Sequence, residues 1–231
     1  MESPKVTRTA GPVHGRWYSD ASGAAFAMEL LGQRWSMLIV RELLSGGRRF
    51  TDLRSDLPGI SAKVLTERLA TLEEGGVVTR RQLEAPARGQ VYELTDWGAR
   101  AEPAIQELTR WASQSPDINS QLPLSTASLM LELKAALDPL RTLGVELRIG
   151  FGIGRDKYLA ELQGGTLEVE RGRFDRAQAI FYADSAAPLA ELFMGDATVD
   201  ALEEDEIIEI FGKRDLALQF VTLFSTASEQ R

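Results

Sequence analysis

The chain has 231 residues, 44% of them hydrophobic and 26% charged, which is the balance of an ordinary globular protein and too apolar for a disordered one. It has no cysteine and a single histidine, His14. That removes disulfides, thiolate nucleophiles and cysteine metal sites, and leaves almost nothing from which to build a Ser-His-Asp triad or a His-rich metal centre.

The net charge of −8 is unevenly spread. Residues 1–118 hold 15 basic and 15 acidic side chains, residues 119–231 hold 11 and 19, and residues 34–81 are locally positive, with 9 basic against 6 acidic. The longest apolar runs are a few residues, such as Met37-Leu-Ile-Val40, whereas a spanning helix needs about 20. The first residues, with Glu2, Asp20 and two prolines, do not read as a signal peptide. The expectation is a cytoplasmic protein without membrane insertion, without a bound cofactor and without a metal.

Residues 1–21, broken by Pro4, Gly11, Pro12 and Gly15, read as a flexible arm. A helix is predicted over Ser22–Leu31 and a second over Arg34–Leu44, where Trp35, Leu38, Ile39 and Leu43 recur at helical spacing. Phe50, Leu53 and Leu57 mark a short third helix ended by Pro58-Gly59. Ser61 is a good N-cap for a fourth, with Leu65, Leu69 and Leu72 as its apolar stripe and Gly75-Gly76 at its end. Val77–Leu83 and Gln90–Leu94 read as a β-hairpin, and Thr95 as the cap of a last helix carrying Ile105, Leu108 and Trp111, kinked or reset by Pro103.

A polar, proline-punctuated stretch at 116–124 reads as a linker. Beyond it Leu129, Leu133, Leu137 and Leu140 predict an amphipathic helix, and the alternation of Val145, Leu147, Ile149 and Phe151 predicts a strand. Tyr158–Leu162, Thr166–Glu170, Ala177–Ala183 and Ile207–Phe211 are further strands. Helices carry Leu189, Leu192 and Phe193, then Leu216, Phe220, Leu223 and Phe224. The fold class is α+β, with a first domain at 22–115 and a second at 125–231 whose mixed sheet is covered by helices.

Two helices joined by a short turn and followed by a two-stranded ribbon make a winged helix-turn-helix, in which the second helix enters the major groove and the ribbon reaches the backbone. Off the leucine stripe the fourth helix presents, after its cap Ser61, Ala62, Lys63, Thr66, Glu67 and Arg68, short or hydrogen-bonding groups suited to bases and phosphates. Arg48 and Arg49 before the third helix, with Arg80, Arg81 and Arg88 on the hairpin, supply a positive rim, and Thr51 of the third helix joins them as a candidate. These twelve residues are the candidate DNA-binding set, weighed against an ordinary solvated basic surface.

The blocks Ala27-Met-Glu-Leu-Leu-Gly-Gln-Arg-Trp-Ser-Met-Leu-Ile-Val-Arg-Glu-Leu, Arg49-Phe-Thr-Asp-Leu, Leu57-Pro-Gly-Ile-Ser-Ala-Lys-Val-Leu-Thr-Glu-Arg-Leu, Leu72-Glu-Glu-Gly-Gly-Val-Val-Thr-Arg and Tyr92-Glu-Leu-Thr-Asp-Trp-Gly, in that order, strongly resemble the HxlR family of bacterial transcriptional regulators. The resemblance covers about residues 20–113. It implies a winged-helix homodimer on a palindromic double-stranded operator, with first and last helices pairing across the two-fold axis. Many members sense oxidants through a cysteine at the start of the first helix; this chain has Ser22 there.

The segment from about 129 to 224 resembles the sterol carrier protein type-two fold through Gly165-Thr-Leu-Glu-Val-Glu-Arg-Gly, Ala183-Asp-Ser with the helix ending Leu192-Phe-Met-Gly, and Ile207-Ile-Glu-Ile-Phe-Gly. That resemblance implies an apolar tunnel for a small hydrophobic effector, with Phe151, Tyr158, Phe181, Phe193, Phe211 and Phe220 as lining candidates and core packing as the alternative for each. Gly150-Phe-Gly-Ile-Gly154 reads as a flexible bend rather than a dinucleotide loop, since position 155 is Arg. Glu203–Glu206 reads as a solvated acidic turn.

Together these features give a dimeric transcriptional regulator controlled by a small hydrophobic effector, and no catalytic residues. The rivals are a lipid carrier whose winged domain serves only dimerisation, and an enzyme working with carboxylates and Tyr158 or Tyr182.

Overall fold

The computed structural model describes residues 13–83, 88–119 and 122–224, and their packing divides into two units, one within 1–43 and 47–100, the other comprising 44–46 and 101–231. In the first unit, α1 (Gly23–Leu31) starts where the Ser22 hydroxyl accepts the Ala25 N–H. Helix α2 (Ser36–Leu43) starts two residues later than periodicity suggests because Trp35 sits at φ 79°, a left-handed conformation that cannot continue a helix. Helices α3 (Phe50–Asp56) and α4 (Ala62–Glu74), strands β1 (Val78–Gln82) and β2 (Gln90–Leu94) and the single turn α5 (Asp96–Ala99) complete it. The ribbon is antiparallel, Arg80 opposite Tyr92 and Arg81 opposite Val91. Of the hairpin turn, residues 84–87 lie outside the described residues.

Part of the expected arm is tied down. Glu29, only 1% exposed, accepts the backbone N–H groups of Trp17 (2.9 Å), Tyr18 (3.0 Å) and Gly15 (3.1 Å). His14 stacks on Phe26, with ring centroids 4.8 Å apart. Residues 14–18 therefore form a strap held to α1; residues 1–12 lie outside the described residues.

In the second unit, α6 (Glu102–Ser113) opens with Pro103 in its first turn, so the expected single last helix is two, broken between Ala99 and Glu102. Packing places α6 with the C-terminal part of the chain and sets the division at 100/101, ahead of the expected linker at 116–124. Lys134 of α7 (Thr126–Ala136) pairs with Glu102, and Arg110 Nε donates to the Ala135 carbonyl at 3.0 Å. The predicted leucine stripe of α7 stops early: Leu137 bridges to Phe224 and Leu140 is 79% exposed.

Five strands come next, β3 (Leu147–Ile153), β4 (Asp156–Gln163), β5 (Thr166–Arg171), β6 (Ala179–Ala183) and β7 (Ile208–Gly212), in the order β5-β4-β3-β6-β7. Only β3 and β6 are parallel, so the sheet is mixed. Two of the glycines expected to make a bend, Gly150 and Gly152, lie inside β3, where the side chain of Tyr182 lies 2.5 Å from where a β-carbon on Gly152 would be. Only Gly154, at φ 53°, makes the turn. Helices α8 (Ala186–Met194), α9 (Val199–Glu204) and α10 (Arg214–Val221) complete the unit. Helix α9 is too short to show a period in the sequence, and the acidic run spans its C-terminal end; Glu203 of that run and Asp200 of the first turn both pair with Arg214.

Five of the six candidate lining residues meet, but as packing. Phe151, Tyr158, Phe181, Phe193 and Phe220 are at most 1% exposed. The four phenylalanines among them contact one another in five ring pairs, with centroids 5.5 to 6.1 Å apart. Phe211 is apart from them, 51% exposed and edge-on to Tyr182. The Tyr158 hydroxyl is consumed within the unit: it accepts from Arg171 at 2.7 Å and lies 2.8 Å from Thr126 Oγ1, which donates to Asp156. Burial pushes its pKa up, against the pull of Arg171 and Thr126.

Two outcomes test this packing. Phe193→Ala should cost about 3–5 kcal/mol in chemical denaturation, as truncation of a closed aromatic core does; a loss below about 1 kcal/mol would mean the ring lines open space. The Glu29 carboxyl is pushed up by burial, but the three N–H groups outweigh this and hold it below its ordinary 4.5. Its contribution is therefore complete above pH 4.5 and lost as pH falls through the lower folded-state value. Glu29→Gln should flatten the fall of melting temperature in that acid range, and parallel curves for the two proteins would refute the clamp.

Candidate nucleic-acid interface

Helix α4 is rotated by its leucines. Leu65, Leu69 and Leu72 are 0 to 1% exposed, and each buried leucine contributes about 1.5–3 kcal/mol. With that face inward, Lys63, Thr66 and Glu67 are exposed, while Ala62 and Arg68 are half-buried on its flanks. Lys63 and Glu67 face each other one turn apart at 4.0 Å. Ser61 is a cap, its Oγ accepting the Val64 N–H at 3.2 Å. The Thr66 hydroxyl donates to the Ala62 carbonyl at 2.9 Å and keeps acceptor capacity facing out.

The expected positive rim is rearranged. Arg48 is 7% exposed and its guanidinium pairs with Asp56, while its backbone pairs with Tyr92 of the ribbon. It ties α3 to β2 and does not belong to the rim. Arg80 meets Glu73 at 2.7 Å and lies over the Tyr92 ring, and Arg81 meets Glu93 at 2.8 Å. Exposed pairs of this kind contribute about 0–1 kcal/mol, so a phosphate can displace the carboxylate at little cost. Thr51 and Arg49 are exposed, Arg49 beside Gly89, and Arg88 is exposed two residues before the returning strand. Among the described residues no group of His, Asp and Glu could hold a metal, and no helix is long and apolar enough to cross a membrane.

The HxlR-like helix-turn-helix family model matches residues 30–120. YvaP of Bacillus subtilis, named an uncharacterised HTH-type transcriptional regulator, is 43% identical over 89 residues, 38% of this chain and 82% of that protein. The chain belongs to the HxlR-like helix-turn-helix family. YodB of the same organism, an HTH-type transcriptional regulator, is 39% identical over 38% of this chain and 79% of its own length. The solved reduced form of YodB is similar over 39% of this chain and 89% of that chain, at 39% identity and a TM-score of 0.36. Both relatives are named HTH-type transcriptional regulators. Residues 121–231 lie outside the family match.

Because Arg48 is buried against Asp56, Arg48→Ala should cost about 3–5 kcal/mol by stranding a buried charge, whereas Arg68→Ala should stay within about 0.5 kcal/mol of wild type. Denaturant melts of the two variants separate them, and equal costs would contradict the division of roles.

Proposed function

We propose that the protein is a sequence-specific DNA-binding transcriptional regulator acting as a homodimer. In this reading α3, α4 and the β1–β2 ribbon work as a winged helix-turn-helix, with α4 in the major groove and the ribbon on the phosphate backbone. The observation that carries it is the outward face of α4, where Lys63, Thr66 and Glu67 are exposed on a helix whose opposite face is buried. Ser61 and Ala62 stand at the start of that helix and Arg68 on its flank, while Arg49, Thr51, Arg80, Arg81 and Arg88 contact the flanking backbone.

Dimerisation is supported by apolar side chains left in solvent. On α6, Leu108 is 48% and Trp111 73% exposed, three residues apart on one face, and on α1 Met28 is 52% exposed. A two-fold dimer calls for a palindromic operator with half-sites about one helical turn apart. The chain has no cysteine, so its signal does not enter through a thiol. The second unit is then the effector unit. A small hydrophobic molecule would act by binding one dimer arrangement better than the other, and it would enter by parting the ring cluster around Phe193, since the rings pack shut.

The test is a mobility-shift titration on duplex DNA from the chain's own upstream region. Wild type should prefer it over mixed-sequence DNA by at least about a thousandfold, the lower end of the usual span of specificity ratios, and Lys63→Ala with Arg68→Ala should abolish the preference. A wild type without preference, or a double variant that keeps it, would overturn the reading.

A further inference from the structure

We infer that Arg54, which the sequence does not single out, is a phosphate-binding residue of the DNA interface; this rests on the reading just given. On α3 the buried residue is Leu53, with Leu57 buried just beyond the helix, while Thr51, Arg54 and Ser55 are exposed. Arg54 is three residues from Thr51, so the two share the outward face of the helix. The first helix of a helix-turn-helix pair is the one that crosses the sugar-phosphate backbone, and a guanidinium there meets phosphate oxygens with a planar fork of donors.

Pairing separates Arg54 from its neighbours. Arg48, Arg80 and Arg81 each hold a carboxylate of their own unit, so binding a phosphate means giving one up. The Arg54 side chain has no ion pair, hydrogen bond or ring contact among the described residues. The acids nearest to it in sequence do not neutralise it: Asp56 is engaged by Arg48, and Asp52 lies half-buried near the start of the helix. A local role also exists, because a cation in the last turn of a helix favours the helix dipole. That role acts on stability and leaves the salt dependence of DNA binding unchanged, whereas a phosphate contact does the reverse.

The experiment measures affinity of the full chain for the upstream duplex and for a mixed-sequence duplex across a range of salt, for wild type, Arg54→Ala and Arg54→Lys. Removing one phosphate contact lowers the slope of log affinity against log salt by about 0.9 per bound copy. Arg54→Ala should show that loss equally on both duplexes, whatever small drop in melting temperature the lost dipole contact brings, and Arg54→Lys, which keeps the charge, should restore most of the slope. A wild-type slope in Arg54→Ala, or a loss on one duplex only, overturns the inference and leaves the regulator reading standing. A wild type that binds neither duplex in a salt-dependent way overturns both.

Discussion

The rest of the molecule's function depends on the burial of three leucines. Leu65, Leu69 and Leu72 recur every three or four residues, so burying them fixes the rotation of α4 about its own axis and decides which side chains face out. Leu53 and Leu57 do the same for α3. The Ser61 cap and the Pro58-Gly59 turn fix where α4 begins. Had the stripe been weaker, the same polar residues would still be present, but no single set of them would be held toward a partner.

A second constraint is electrostatic. A basic segment is only potentially a nucleic-acid surface, because each arginine answers first to the carboxylates within its reach. Arg48 is drawn into the interior by Asp56 and becomes a structural tie between α3 and the ribbon. Arg80 and Arg81 are held loosely by Glu73 and Glu93, which orients them without removing them from solvent. Arg54 and Arg49 are left facing out.

What the sequence displays and what it hides depend on the range of the interactions. Helical and strand periodicities are local, so α1 to α4, the ribbon and five strands of the second unit are legible directly, with ends shifted by a residue or two. The displaced start of α2 depends on one left-handed residue, Trp35, whose type gives no hint of it. Arg48 and Arg49 look alike in sequence, and only the tertiary placement of Asp56 distinguishes them. The Glu29 clamp is hidden for the same reason, since its donors are backbone groups more than ten residues away. Aromatic content announces a buried cluster around Phe151 and Phe193, but composition cannot distinguish a cluster that closes on itself from one that leaves space. Phe211 does not join that cluster because strand alternation sends its ring to the other face of the sheet.

The absence of native cysteine that removes thiol sensing also makes the chain a clean host for a single introduced thiol. Lys63→Cys, equipped with a disulfide-linked tether on the base edges of the upstream duplex, tests most directly whether the outward face of α4 meets DNA. Efficient crosslinking is expected at Lys63→Cys and none at Trp111→Cys, whose side chain is also exposed but belongs to the face of α6 assigned to dimerisation. Crosslinking at Trp111→Cys and not at Lys63→Cys, or at neither, would contradict it.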